Sequence, residues 1–292
     1  MKRLLMMVTV ALLCVAGIGF FFAAPDTGNV APPSPPMTTA TTPVPALPNQ
    51  AAAAARVTQA MHAVLPNARV GFEVFDRQNN TVLTSQNTDR QFASMSVVKL
   101  LIALDSLAGG NWATPDHTTR QKLHHMLADS NDDIANNLWT ANGGPAIVTR
   151  MVGLLGFTGT QPPKDPSRWG DTLITPQDIV TVYRYITDQL PGPSRDFLLS
   201  ALAAAPQTAA DGFDQYFGIP DGMPSTTWAV KQGWGISGSQ AVMNSTGLVG
   251  TGLRYIVIVL ASASADSYST VPAVVTAGAS ALAGLIDATA LG

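Results

Sequence analysis

The spacing of apolar positions changes several times along the chain, and each change marks an element. Leu4 to Ala24 contain no charge and follow Lys2-Arg3. Such a run reads as a signal peptide or signal anchor, long enough to span a bilayer, which takes about 20 residues. Phe22 sits where a cleavage site wants a small residue, and Leu13 rather than a small residue precedes Cys14. The run therefore favours an uncleaved anchor that holds the body outside, with membrane contact through residues 4–24. Residues 25–50, rich in Pro, Thr and Ala, build no core and read as a linker.

From residue 51 the pattern is that of a folded domain reaching to 292. Ala51 to Ala63 has helical spacing. Val70 to Phe75 alternates and, with Asn79-Asn80 and Thr81 to Thr84, predicts a β-hairpin. An apolar run from Val97 to Leu104 predicts a helix, followed by further helical stretches to about Ala205. Thr175-Pro176 gives one of these an N-cap and a first-turn proline. Strands return at Thr227–Lys231, Val242–Val249 and Arg254–Leu260, and an Ala-rich helix from Val271 to Leu291 closes the chain. The predicted fold class is α/β (α+β). One antiparallel sheet is flanked by the N- and C-terminal helices, and an inserted all-helical lobe makes a cleft against it.

Composition narrows the function. The chain has 292 residues, 46% hydrophobic and 12% charged, with a net charge of -3. Without a basic cluster, nucleic acid is not an expected partner. The single cysteine, Cys14, lies in the apolar leader, so the folded body has neither a disulfide framework nor a thiolate metal site. His62, His117, His124 and His125 form no ligand set; no metal and no cofactor is expected, and the domain is expected to be a monomer.

The candidate chemistry starts at Ser96-Val97-Val98-Lys99. Positions i and i+3 share a helix face, so the Ser96 hydroxyl and Lys99 amine meet. An amine buried in apolar surroundings loses proton affinity and can activate a serine. Taken alone, the pattern reads better as a helix N-terminus with a solvated lysine, since four residues with two free positions recur by chance. Yet Lys99 is one of only five lysines, set in a continuous apolar run.

Two further segments change the balance. Ser130-Asn131-Asp132 follows about thirty residues later, and Lys231-Gln232-Gly233-Trp234 lies in the late strands. With Ser96-x-x-Lys99, these resemble in order the three elements of the penicillin-recognising serine enzymes, class A β-lactamases in particular: Ser-x-x-Lys, Ser-Asp-Asn and Lys-Thr-Gly. The resemblance spans nearly all of 51–292 and implies a β-lactamase/transpeptidase-like fold. It implies Ser96 as nucleophile, Lys99 as its activator and Ser130 as proton donor to the leaving nitrogen. Lys231, Gln232 and Gly233 would bind substrate with Asp132, Lys231 attracting a carboxylate. The backbone N–H groups of Ser96 and Trp234 would form an oxyanion hole.

The departures are equally specific. Asp132 stands where the family has asparagine, and an ionised carboxylate only accepts hydrogen bonds. Gln232 replaces threonine. Class A enzymes carry a glutamate in the loop before Asp171 that activates the deacylating water, but residues 159–170 contain none. Asp165, the loop's one acid, reads as a turn residue before Pro166. The chain's only glutamate, Glu73, is expected to face solvent from the first hairpin. The expected function is an exported serine acyl-transfer enzyme. Its acyl donor is a β-lactam or a peptidoglycan-type D-Ala-D-Ala-like peptide, and deacylation is slow. The alternatives are a non-catalytic cell-wall binding module on a decayed scaffold, and a serine esterase.

Overall fold

The structure, a computed structural model, describes residues 48–290. The expectations for the leader and for the linker up to residue 47 lie outside the described residues. In chain order the elements are α1 (Pro48–Val64), β1 (Arg69–Asp76), β2 (Thr81–Gln86) and β3 (Phe92–Ala93). A 3₁₀ turn (Met95–Val98) leads into α2 (Lys99–Gly109). Then come α3 (His117–Ala128), α4 (Asp132–Ala141), α5 (Pro145–Leu155) and β4 (Leu173–Ile174), followed by α6 (Pro176–Asp188), α7 (Gly192–Ala203) and the short α8 (Ile219–Gly222). The last elements are β5 (Trp228–Ser237), β6 (Gln240–Val249), β7 (Tyr255–Ser264) and α9 (Val271–Ala290). The first helix starts inside the segment read as linker, because Pro48 is tolerated in a first helical turn. Among the described residues no helix is long and apolar enough to cross a membrane.

Five strands form one antiparallel sheet in the order β2-β1-β7-β6-β5. Helices α1 and α9 cover one face, where Val57, Met61, Val274 and Leu282 meet Val70, Phe72, Val257 and Val259. The lobe of α2 to α7 covers the other face and packs Leu101, Leu104, Ile179 and Tyr183 on Phe75, Leu248 and Ile258. Helix α2 is buried on every side through its first two turns, as a helix through the centre of a lobe must be. The fold is the predicted one, with two-sided cover as its main constraint.

That cover corrects the expectation for Glu73. Glu73 pairs with Ile258 across β1 and β7, so it faces the helical lobe rather than water, and it is only 6% exposed. Alternation identified its face correctly; it did not reveal that α6 closes over that face. Burial lifts the Glu73 carboxyl from its ordinary 4.5 to about 7, and the nearby Arg184 guanidinium opposes the rise only in part.

The hairpin turn is longer than the Asn-Asn pair anticipated. Residues 77–80 make the turn and Asn80 takes a positive φ of 53°. The buried Asp76 carboxylate organises it, accepting from the backbone of Gln78 and Asn79 and from both arms of Arg254. Strand β5 runs past Lys231 to Ser237, because Gly233 and Gly235, which break the apolar alternation, are needed for close approach to the turn before α2. A two-residue ladder of β3 with β4, unforeseen in the sequence, ties the loop before α6 to that same turn.

Glu73 makes stability depend on pH. Its folded pKa lies above its unfolded one, so its contribution is complete below pH 4.5 and is lost as pH rises towards 7. The swing is up to about 3 kcal/mol for a shift of this size. Glu73→Gln should therefore flatten the melting temperature between pH 5 and pH 8, read by differential scanning calorimetry. An unchanged pH dependence would place the titrating group elsewhere.

Candidate active site

The cleft lies where the helical lobe meets edge strand β5. Its volume is 340 Å³, and Met95, Ser96, Asp132, Arg168, Trp169, Asp211 and Trp234 are among the residues lining it. Ser96 sits in the 3₁₀ turn and Lys99 is the first residue of α2. Side chains three apart eclipse one another in a 3₁₀ turn, so this geometry aligns the two groups more directly than an α-helix would. Lys99 Nζ lies 2.8 Å from Ser96 Oγ. Met95, just before the serine, has φ of 48°, a left-handed conformation that is unfavourable for a non-glycine residue and typical of functional sites.

The Lys99 amine is completely buried. Besides Ser96 it contacts the Ser130 carbonyl oxygen at 2.6 Å, Asp132 Oδ1 at 2.5 Å and, more weakly, Ser130 Oγ at 3.2 Å. A carbonyl and a carboxylate can only accept, so each claims one N–H. A neutral amine then has its lone pair left for the Ser96 hydroxyl, and an ammonium has its third proton there. Burial lowers the Lys99 pKa from its ordinary 10.5, while the Asp132 carboxylate pulls it back up.

Ser130 is presented by its own strained backbone, with φ of 55° in the loop between α3 and α4. The next residue, Asn131, caps α4 by accepting from Ile134 N–H. Asp132 follows in the first helical turn, half in solvent. From the opposite side Lys231 Nζ donates to Ser130 Oγ at 2.9 Å and to the Gln232 carbonyl at 3.0 Å. Lys231 is buried and its pKa falls well below the ordinary value, first through desolvation and then through repulsion from Lys99. The structure thus brings Ser96, Lys99, Ser130, Asp132 and Lys231 into one connected cluster.

Gln232 does not join it. Side chains alternate along β5: Lys231 and Gly233 face the nucleophile, while Gln232 faces the opposite layer. There its amide donates to the carbonyls of Gln215 and Phe217 and is buried. The substrate contact expected of Gln232 is therefore corrected: its side chain anchors the segment before α8. A Cβ on Gly233 would sit 2.6 Å from the Ser94 carbonyl and 3.1 Å from Ser96 N, so glycine is what lets β5 approach the nucleophile turn. Trp234 lines the cleft, its ring stacked on Phe213 at 4.9 Å.

Several site residues had no signal in the sequence reading. Trp169, in the loop lacking a glutamate, places its ring 5.0 Å from Lys99 Nζ and is held by Asn136 Oδ1 at 2.7 Å. Asp165 does not line the cleft and accepts from the Ser167 backbone and hydroxyl, the turn role expected of it. Asn244 on β6 donates to the carbonyls of Ala93 and Ser94 and braces the nucleophile turn. Asp211 accepts from Trp234 Nε1 at 3.0 Å on the rim. Asn244 opens a polar run, Asn244-Ser245-Thr246, in the middle of β6, and nothing local marked it or the others. Among the described residues no group of His, Cys, Asp and Glu could hold a metal ion.

Comparison with known proteins identifies relatives of the chain and of its fold. The chain is 35% identical over 220 residues to "Putative lipoprotein LppW" of Mycobacterium tuberculosis and of Mycobacterium bovis, covering 72% of this chain and 69% of each relative. No protein-family model matches it. In structure it is similar to the β-lactamase of Streptomyces albus G, with a TM-score of 0.62, 22% identity, and coverage of 80% of this chain and 99% of that one. It is also similar to a single-residue mutant of PBP-A in acyl-enzyme complex with penicillin G, with a TM-score of 0.65, 16% identity, and coverage of 83% and 100%. A third similar structure is a β-lactamase from Chitinophaga pinensis, with a TM-score of 0.64, 15% identity, and coverage of 80% and 99%. These likenesses establish the β-lactamase fold.

Two substitutions test the geometry without any substrate. Asp132→Asn removes the one carboxylate bonded to Lys99, so the Lys99 pKa should fall further; NMR of its Cε shift would read this, and a rise would contradict the pairing. Gly233→Ala should lower stability by about 1–3 kcal/mol through overpacking against the nucleophile turn. A wild-type denaturant midpoint in that variant would mean that the turn can move aside.

Proposed function

We propose that this chain, which belongs to the family of the mycobacterial protein LppW and has the fold of the class A β-lactamases, is an exported serine acyl-transfer enzyme. One observation carries the reading: the Ser96 hydroxyl lies 2.8 Å from a fully buried amine whose other N–H groups are claimed by pure acceptors. Lys99 Nζ takes the hydroxyl proton as Ser96 Oγ forms its bond to the acyl carbon. The N–H groups of Ser96 and Trp234 receive the developing oxyanion. As the carbon–nitrogen bond breaks, the Ser130 hydroxyl gives its proton to the leaving nitrogen, and the proton held on Lys99 restores Ser130 through their direct contact.

The acyl donor in this reading is a β-lactam or a D-Ala-D-Ala-like peptide, and the product is a long-lived acyl-enzyme. Release needs a water activated beside the ester. Trp169, not a carboxylate, faces Lys99 from the loop, and Asp165 is engaged with Ser167. An indole offers no base and fills space that water would need. An envelope location fits the relative's printed name as a lipoprotein, with residues 4–24 as the expected membrane attachment.

Incubation with benzylpenicillin followed by intact-mass analysis tests the reading. One penicilloyl group should appear on the wild type and persist for many minutes, and none should form on Ser96→Ala. An adduct on the Ser96→Ala protein would remove Ser96 as nucleophile. Rapid nitrocefin turnover would remove the claim of slow release, and absence of any adduct would favour a binding module.

A further inference from the structure

The acyl carbon of a bound donor has four directions, and the cluster accounts for three of them. Ser96 Oγ approaches from the turn before α2, the leaving nitrogen points to Ser130 Oγ, and the carbonyl oxygen points to the N–H groups of Ser96 and Trp234. Lys231 Nζ, bonded to Ser130 Oγ and 5.9 Å from the centre of the Trp234 ring, puts a cationic group on the leaving side, where a carboxylate on the donor's leaving part is well served. The fourth direction belongs to the acyl substituent. It runs away from Ser130 into the cleft, between the first turn of α4 and the loop that holds Trp169.

On that side the polar group beside the nucleophile is Asp132. Only the Lys99 nitrogen stands between its Oδ1 and Ser96 Oγ. Its side chain lines the cleft and is 57% exposed, although the amine it holds is completely buried. Oδ1 is taken by that amine, and no described residue donates to Oδ2. On the facing loop, Ser167 Oγ donates to Asp165 and Trp169 Nε1 donates to Asn136. The acyl side of the cleft therefore presents a carboxylate oxygen that is fixed by an ion pair, open to a ligand and able only to accept. An asparagine here could give an N–H to an amide carbonyl of the substituent. A carboxylate meets such a carbonyl as a second acceptor, with no proton between the two. To an amine on the same carbon it offers a charge-assisted hydrogen bond instead.

We infer that Asp132 selects acyl donors with a free amino group on the carbon next to the acyl carbon, and disfavours donors in which that amine is acylated and a carbonyl oxygen faces the carboxylate. This rests on the reading of Ser96 as the acylated group and narrows its donor within the β-lactam and D-Ala-D-Ala-like class. The donor's carboxylate, on the leaving side, is common to both kinds. A site that pairs with one polar group discriminates chiefly by leaving the wrong group mispaired.

The test separates the preference from the reaction. 6-Aminopenicillanic acid and 6-acetamidopenicillanic acid share the ring system, the scissile amide and the carboxylate, and differ only in acylation of that amine. On full-length Ser96→Ala protein, which cannot be acylated through Ser96, titration calorimetry should show the free amine binding roughly tenfold more tightly, the scale of a hydrogen bond to a charged group. The preference should vanish or invert in Ser96→Ala/Asp132→Asn. Any general effect of that change on Lys99 acts on both ligands and cancels in their ratio. Equal or tighter binding of the acetamido compound to the Ser96→Ala protein overturns the inference. So does a ratio that Asp132→Asn leaves unchanged, or a failure of both compounds to bind. Adduct formation on the wild type by either compound is scored separately and bears only on Ser96.

Discussion

A fully buried amine has to have every proton accounted for, and Lys99 imposes that requirement on three parts of the chain at once. An unpaired ammonium or N–H in such a place carries a heavy desolvation penalty. Here the acceptors come from the turn before α2, from the strained loop at Ser130 and from the first turn of α4. Each contact is short and comes from a separate element, so the lysine fixes the relative placement of all three. The left-handed backbones of Met95 and Ser130 are the local strain of bringing them together. Around this point the apolar length of α2 keeps water away, which is also what lowers the proton affinity of the amine.

The loop before α6 completes the enclosure in a different chemical character. The β3–β4 ladder and the Ser94 N–H to Thr172 carbonyl bond, 2.7 Å long, hold the loop against the nucleophile turn. The Arg168–Asp171 ion pair closes its last bend. Within this frame Trp169 faces the amine and Asn136 fixes the ring's orientation. A loop held this firmly keeps an indole, not a carboxylate, beside the amine.

The parts legible in the sequence were polar residues set in regular apolar frames. Lys99 stood out because the run around it, through the first turns of α2, is apolar, and Ser130 and Lys231 stood out through the resemblance of their segments, in order, to the elements of a known family. The antiparallel sheet, its two flanking helices and the helical lobe followed from the changes in hydrophobic period. What did not follow was whatever depends on the element packed on the far side. Alternation gave Glu73 a face but not the helix that covers it. It placed Gln232 next to Lys231 in sequence while turning the two side chains into different layers. Trp169 and Asp211 sit in irregular segments, where backbone geometry, not period, decides which way a side chain points.

The exchange at Asn131 and Asp132 shows how a fold can absorb a change that its chemistry cannot ignore. Asparagine and aspartate serve almost equally as N-caps, so Asn131 satisfies the start of α4 as well as an aspartate would. A carboxylate in the first turn is favourable to the helix dipole, so Asp132 does not weaken the helix either. The two residues are nearly isosteric, and the backbone has no reason to move. The net effect is the transfer of one negative charge from the cap to the amine beside Ser96. There it opposes desolvation and holds the Lys99 proton more tightly, making the lysine a better proton acceptor but less often a vacant one.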